Sequence, residues 1–342
     1  MRRLPQHIVL HVTTRCDLRC RTCFVEKGGR DLSLDDARTI AGKVGRVRWL
    51  DIGGGEPFLH PNLLEICGLF NPRDLTIPTN GQRPEKIEAA VRALRANMRG
   101  AVTIAVSLDG FAEANDALRG VGAFDRAMGT FKRIRGISGI SVKVNTVVCA
   151  ANIGVLPEFA AHVRDMGADY HSLLLLRGRP ADSQLALPPV VELREMFEKV
   201  RPVLASYAFQ KGRHPFMARL LHSAQQEMLA LSMRVLQEDR AAFPCRAPWV
   251  HRVIYPDGSV AMCELMPCCG NLLSEDLDSV DARISRAFGR HESEHGACFC
   301  THNCNMAENM MFHPQTMGRV LLGALKRRKP EFAPGEKTGD GA

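Results

Sequence analysis

The chain has 342 residues, 45% hydrophobic and 24% charged, with a formal net charge of +8. This is ordinary for a globular protein in water, and no apolar run nears the ~18 residues that a membrane span needs. Only 6% of residues are aromatic and no basic stretch interleaves with them, which argues against a nucleic-acid partner. Twelve cysteines in so long a chain, with no export signal after Met1, point to metal binding in a reducing cytoplasm rather than to disulfides.

From residue 7 to about 176, short apolar strands alternate with helical patterns. Strands are expected at 8–12, 49–52, 74–77, 103–107, 141–148 and 171–175. Helices are expected near 34–45, 61–70, 84–97, 123–135 and 155–165, the first opened by Ser33 with Asp35 and Asp36 behind it. Six such units predict an α/β fold, a partial (β/α)6 barrel whose chemistry sits in the loops after the strands. Residues 1–185 are read as this core and 186–241 as a helical linker. Residues 242–310 are read as a small cysteine-bearing domain, and 311–342 as a final helix and a disordered tail.

Cys16, Cys20 and Cys23 follow the first strand at C-x3-C-x2-C spacing. Thiolates are the usual ligands of iron–sulfur clusters. Three thiolates on a four-iron cubane leave one iron open, as catalytic metal sites require. Zinc, or buried thiols without metal, are the alternatives on spacing alone. After the second strand comes Gly53-Gly54-Gly55-Glu56-Pro57, after the third Thr79-Asn80-Gly81, and after the fourth Ser107-Leu108-Asp109-Gly110. Asn145 stands in the middle of an otherwise apolar fifth strand and needs a hydrogen-bond partner. Arg177 follows the sixth strand, where a guanidinium suits a carboxylate or a surface ion pair.

The three cysteines together with the GGEP turn resemble the radical S-adenosylmethionine (SAM) enzymes. The resemblance implies a [4Fe–4S] cluster on Cys16, Cys20 and Cys23, with SAM on its open iron. It places Gly54, Gly55, Glu56 and Pro57 beside the SAM amino group, and Ser107 and Asn145 as further SAM contacts. The segment 115–125 resembles other family stretches and is read as a loop leading into a packed helix, without a chemical role.

A second group of cysteines follows the linker. Cys245 and Cys263 stand at C-x12-G-x4-C across a hairpin with an Asp257-Gly258 turn, and Cys298, Cys300 and Cys304 come later. This region resembles the SPASM or Twitch extension, which implies auxiliary iron–sulfur clusters. The cysteine count favours one auxiliary [4Fe–4S] cluster. Five thiols compete for its four irons, and Cys298 is the one expected to be left out. A zinc ribbon is the alternative. Cys268 and Cys269 fit neither pattern, and Cys67 and Cys149 read as buried thiols.

The resemblance implies a cytoplasmic enzyme that cleaves SAM to a 5′-deoxyadenosyl radical and abstracts hydrogen from its substrate. Reduced flavodoxin or ferredoxin is the implied electron donor. The first strand starts near residue 7, leaving no room for a peptide-binding domain before it, so a small-molecule substrate with an oxidative outcome is expected. The alternatives are a peptide brought by a separate partner, a redox-neutral epimerisation with Cys149 as hydrogen donor, and a non-catalytic iron–sulfur sensor.

Overall fold

The computed structural model describes residues 7–207, 215–298 and 300–326. The expected tail beyond 326 lies outside the described residues. β1 (His7–Thr13) is buried along its whole length, as befits a parallel strand covered on both faces. Then come α1 (Leu34–Val44), β2 (Trp49–Gly54), α2 (Leu63–Phe70), β3 (Asp74–Thr79), α3 (Pro84–Asn97) and β4 (Ala101–Ser107). The run continues through α4 (Ala112–Arg119), α5 (Ala123–Ile134), β5 (Ile140–Val148), α6 (Leu156–Asp165) and β6 (Tyr170–Leu175). Adjacent strands pair in parallel in the order β6-β5-β4-β3-β2-β1. α1 starts where Ser33 Oγ accepts from the Asp36 amide at 3.0 Å, satisfying one free N–H of the first turn.

Two expectations change here. The stretch 115–125 is not all loop, since α4 runs to Arg119. The cysteine hairpin also continues the main sheet. After α7 (Val190–Ala205), α8 (Pro215–Glu238) and α9 (Ala247–Val250), β7 (His251–Ile254) lies parallel to β1, with His7 opposite His251. β8 (Ser259–Ala261) and β9 (Gly270–Asn271) then extend the sheet antiparallel to nine strands. An uncovered β1 edge would leave backbone donors and acceptors unpaired, and β7 satisfies them. One apolar cluster runs from Ile8 and Leu50 through Ile254 and Val260 to Leu277 and Ile284 on α10 (Leu277–His295).

The last helices are α11 (Asn303–Met311) and α12 (Pro314–Leu325). α11 shows that the sheet curls. Asn303 Nδ2 donates to Leu173 O on β6 at 3.3 Å, while the next residue, Cys304, lies 3.7 Å from Asp51 Oδ2 on β2. In a flat sheet β6 and β2 would stand about 19 Å apart, at ~4.8 Å per strand. Consecutive residues of one helix reach both only because the strands wrap around it.

Candidate functional site

The thiols of Cys16, Cys20 and Cys23 gather with Leu18 and Ala123 at the end of β1. The loop is clamped from several sides. Gly55 N donates to Thr13 O and Glu56 N to Arg15 O, both at 2.8 Å, so the chain leaving β2 runs as a backbone pair along the start of the cysteine loop. A Cβ on Gly54, at φ +111°, would stand 2.2 Å from Thr13 O, and one on Gly55 would stand 2.0 Å from Arg15 O. The two glycines are therefore required by the loop they touch, whatever else they bind. Arg21 N donates to Leu118 O of α4, and Ala181 N and Asp182 N, after β6, donate to Cys23 O and Arg21 O.

The Glu56 side chain is turned inward. It is 2% exposed, and its carboxylate accepts from Thr79 Oγ1 at 2.8 Å, Asn80 N at 2.7 Å and Phe58 N at 3.2 Å. Burial pushes it up to about 7 against the pull of these donors. Pro57 opens a 3₁₀ turn behind it. Glu56 thus ties the Thr79-Asn80-Gly81 turn to the cysteine loop. Asn80 Nδ2 completes the tie, donating to Asp17 Oδ1 at 2.7 Å and lying 3.7 Å from Cys16 Sγ.

Arg119 is a residue that the sequence reading passed over. It is buried, pairs with the fully buried Asp109 at 2.8 Å, and reaches Cys20 Sγ at 4.0 Å. Burial raises the Cys20 thiol, while Arg119 and then Lys27 pull it down. Burial likewise raises Cys16. The only signal was Leu118-Arg119-Gly120 itself, which shows no partner until α4 packs over the loop. Ser107 and Asn145 stand opposite each other in adjacent strands, and Asn145 Oδ1 is buried with no hydrogen-bond partner among the described residues. Cys149 is fully enclosed with Leu118 and Leu176, an enclosure that does not suit a hydrogen donor to substrate.

The second thiol group is sorted by tertiary contact. Cys245, Cys263, Cys298 and Cys300 line one cavity of about 180 Å³, with Met262, Met266 and Met306 around them. A hydrogen bond from Cys298 lowers Cys245 to about 7, and burial pushes Cys263 up to about 12. Cys304 points elsewhere, to Asp51. The cavity therefore includes Cys298 and excludes Cys304, the reverse of the expected omission. The reason is helical: Cys304, on the first turn of α11, meets Asp51 on β2, while Asn305, Met306 and Asn309 of the same helix line the cavity. Cys268 is exposed and Cys269 half-buried, and neither lines the cavity.

One ion pair joins the two thiol groups. The Arg177 guanidinium lies over the Phe24 ring, 5.1 Å from its centre, and pairs with Glu264 at 3.1 Å. Phe24 follows Cys23 and Glu264 follows Cys263. His11 and His302 also hydrogen-bond Glu264, at 3.3 and 2.8 Å. Hydrogen bonds from these histidines, with Arg177, keep its carboxyl well below the usual range despite burial.

A sequence model described as "Radical SAM superfamily" matches residues 10–160. The mycofactocin maturase MftC of Mycobacterium tuberculosis is 31% identical over 185 residues, 52% of this chain and 46% of that protein. The antilisterial bacteriocin subtilosin biosynthesis protein AlbA of Bacillus subtilis is 27% identical over 293 residues, 81% of this chain and 59% of that protein. The chain thus spans about half the length of these curated relatives. Streptococcus suis SuiB, solved with S-adenosylmethionine, superposes with a TM-score of 0.59 at 20% identity, covering 84% of this chain and 68% of that one. That likeness concerns the fold, and the mostly parallel curled sheet agrees with it. With the three-thiol loop and the GGEP turn inside the matched stretch, residues 10–160 form a domain of the radical SAM superfamily.

Proposed function

We propose that this protein is a peptide-modifying radical SAM enzyme with one auxiliary [4Fe–4S] cluster. The observation that carries the reading is the clamped three-thiol loop at the mouth of the curled sheet, with the Asn145 oxygen, unpartnered among the described residues, on β5 opposite the end of β4. When bound, the cluster and SAM supply one-electron reduction and a 5′-deoxyadenosyl radical that abstracts hydrogen. Cys16, Cys20 and Cys23 hold the cluster, and Lys27 and Arg119 offset the cost of gathering thiolates in a buried loop. Asn80, Glu56 and the two glycines fix the loop's position. Gly54, Gly55 and Pro57 line the SAM side through their backbone.

Cys245, Cys263, Cys298 and Cys300 hold the auxiliary cluster. The cavity has four thiols for four irons, and the Arg177–Glu264 pair lies between it and the first loop. An electron acceptor held there would suit an oxidative outcome, because such a cluster would supply a place for the second electron.

The relatives shift the substrate from a small molecule to a peptide. Two carry the names of a maturase and a bacteriocin biosynthesis protein. SuiB was also solved with its precursor peptide SuiA. The test is anaerobic. Reduced, reconstituted protein should turn SAM into 5′-deoxyadenosine, and a peptide encoded beside its gene should raise that yield and change in mass. If the peptide stays unaltered while a small metabolite is consumed, the peptide reading falls and SAM cleavage stands.

A further inference from the structure

Behind the thiol sites, in the hollow of the curled sheet, lies a buried polar cluster that the proposed chemistry does not use. His7 is on β1, His251 opposite it on β7, and Glu308 on α11. They are 3%, 0% and 2% exposed. Glu308 Oε1 is 2.6 Å from His7 Nδ1 and 3.3 Å from His251 Nδ1, and the two Nδ1 atoms are 3.3 Å apart. On its other side, His7 Nε2 lies 3.1 Å from Asp51 Oδ2.

Protons alone satisfy this arrangement badly. If His7 donates Nδ1–H to Glu308, then His251 Nδ1–H faces that donor at close range. If His251 Nδ1 is bare instead, it accepts at most a share of the His7 Nδ1–H at 3.3 Å and sets its lone pair against the Glu308 carboxylate, also at 3.3 Å. In either case Glu308 Oε2, which is buried, has no hydrogen-bond partner among the described residues. Leaving buried polar atoms unpaired costs about 1–3 kcal/mol each.

We propose that His7, His251 and Glu308 bind a divalent transition-metal ion, zinc in the first instance. Their three inner atoms form a small triangle. An ion about 2.1 Å from each, the usual reach to imidazole nitrogen or carboxylate oxygen, fits roughly 1 Å above its plane. Two histidines and one carboxylate are a common donor set for zinc and ferrous iron. Asp51 then accepts the Nε2–H of His7, which fixes the tautomer that presents Nδ1 to the metal. The free oxygen of Glu308 gains a role as a second ligand atom. Cys304 and Asp51 lie at the opposite edge of the His7 ring and are not needed as ligands. The ion would staple β1, β7 and α11, the elements that bring the C-terminal segment onto the sheet. The site does not depend on the peptide reading or on SAM cleavage.

The experiment uses cluster-loaded protein dialysed anaerobically against Zn²⁺, with zinc counted and its K-edge absorption fine structure recorded. About one zinc per chain with only nitrogen and oxygen neighbours is expected. Asp51→Asn should weaken zinc binding about tenfold while iron content holds, and Glu308→Gln should weaken it further. Sulfur neighbours around the zinc, or no retained zinc in the wild type, would overturn the proposal. The wild-type measurement alone decides, should either variant fail to fold.

Discussion

Cys16, Cys20 and Cys23 lie within one short loop, whereas the four cavity thiols come from residues 245, 263 and 298–300. The first group is local: strand β1 delivers all three thiols, and neighbouring turns only tighten the loop. The second exists only after a hairpin, the end of α10 and the approach to α11 have converged. A local ligand set keeps its spacing even in the unfolded chain. A convergent one is defined by packing, so losing one segment removes the site. Ligand spacing predicts membership of a site only where the backbone between ligands is short.

The largest effect expected is on the local site. Replacing Cys16, Cys20 and Cys23 together by Ala should abolish 5′-deoxyadenosine formation and lower iron from about eight to about four per chain, at four per cubane. Persistent SAM cleavage in that variant would break the comparison, because the local loop would then not be the reactive site.

The convergent site is sharpened by two single changes. Cys298→Ala should lose the auxiliary cluster, seen as a fall to about four iron per chain. Cys304→Ala should keep it, since its thiol faces Asp51 and not the cavity. The opposite pattern would return Cys304 to the ligand set.

The clamp on the local loop can be weighed by stability. Arg119→Ala leaves Asp109 charged and fully buried without its partner. Breaking such a pair costs about 3–5 kcal/mol, measurable as a lower urea midpoint. The exposed Arg133–Glu85 pair on α5 and α3 provides the control. Its removal should cost less than about 1 kcal/mol. Equal costs would mean that Arg119 is not a buried clamp.

The smallest effect concerns pH. Glu56 is held up to about 7 from an ordinary value of 4.5. Across that window the folded chain keeps a proton that the unfolded chain has lost, so this group's contribution to stability falls as pH rises. Glu56→Gln should flatten that part of the stability profile. An unchanged slope would place the pH dependence elsewhere.

Much of the architecture was legible in the sequence. The β-branched runs of β1 to β6, separated by amphipathic helices with signals such as Ser33, determine a parallel βα succession through short-range propensity and burial. The three-thiol loop and the GGEP turn were legible because each is contiguous. The anchoring of the Glu56 carboxylate was not, because Thr79, Asn80 and Phe58 close around it only in the fold. Arg119 was illegible for the same reason, its partners Asp109 and Cys20 being remote in sequence or hidden by α4.

By itself, then, the sequence determined the order of strands and helices and the identity of the local thiol loop. These follow from periodicities and spacings that survive in any conformation of the chain. Only the tertiary structure decided that β7 would extend the main sheet through β1, that α11 would enter its hollow, and that Cys298 rather than Cys304 would face the cavity. Those outcomes depend on which distant surfaces bury each other. That choice is made by summed packing and by pairing of every buried polar group, and no single stretch of the chain carries it.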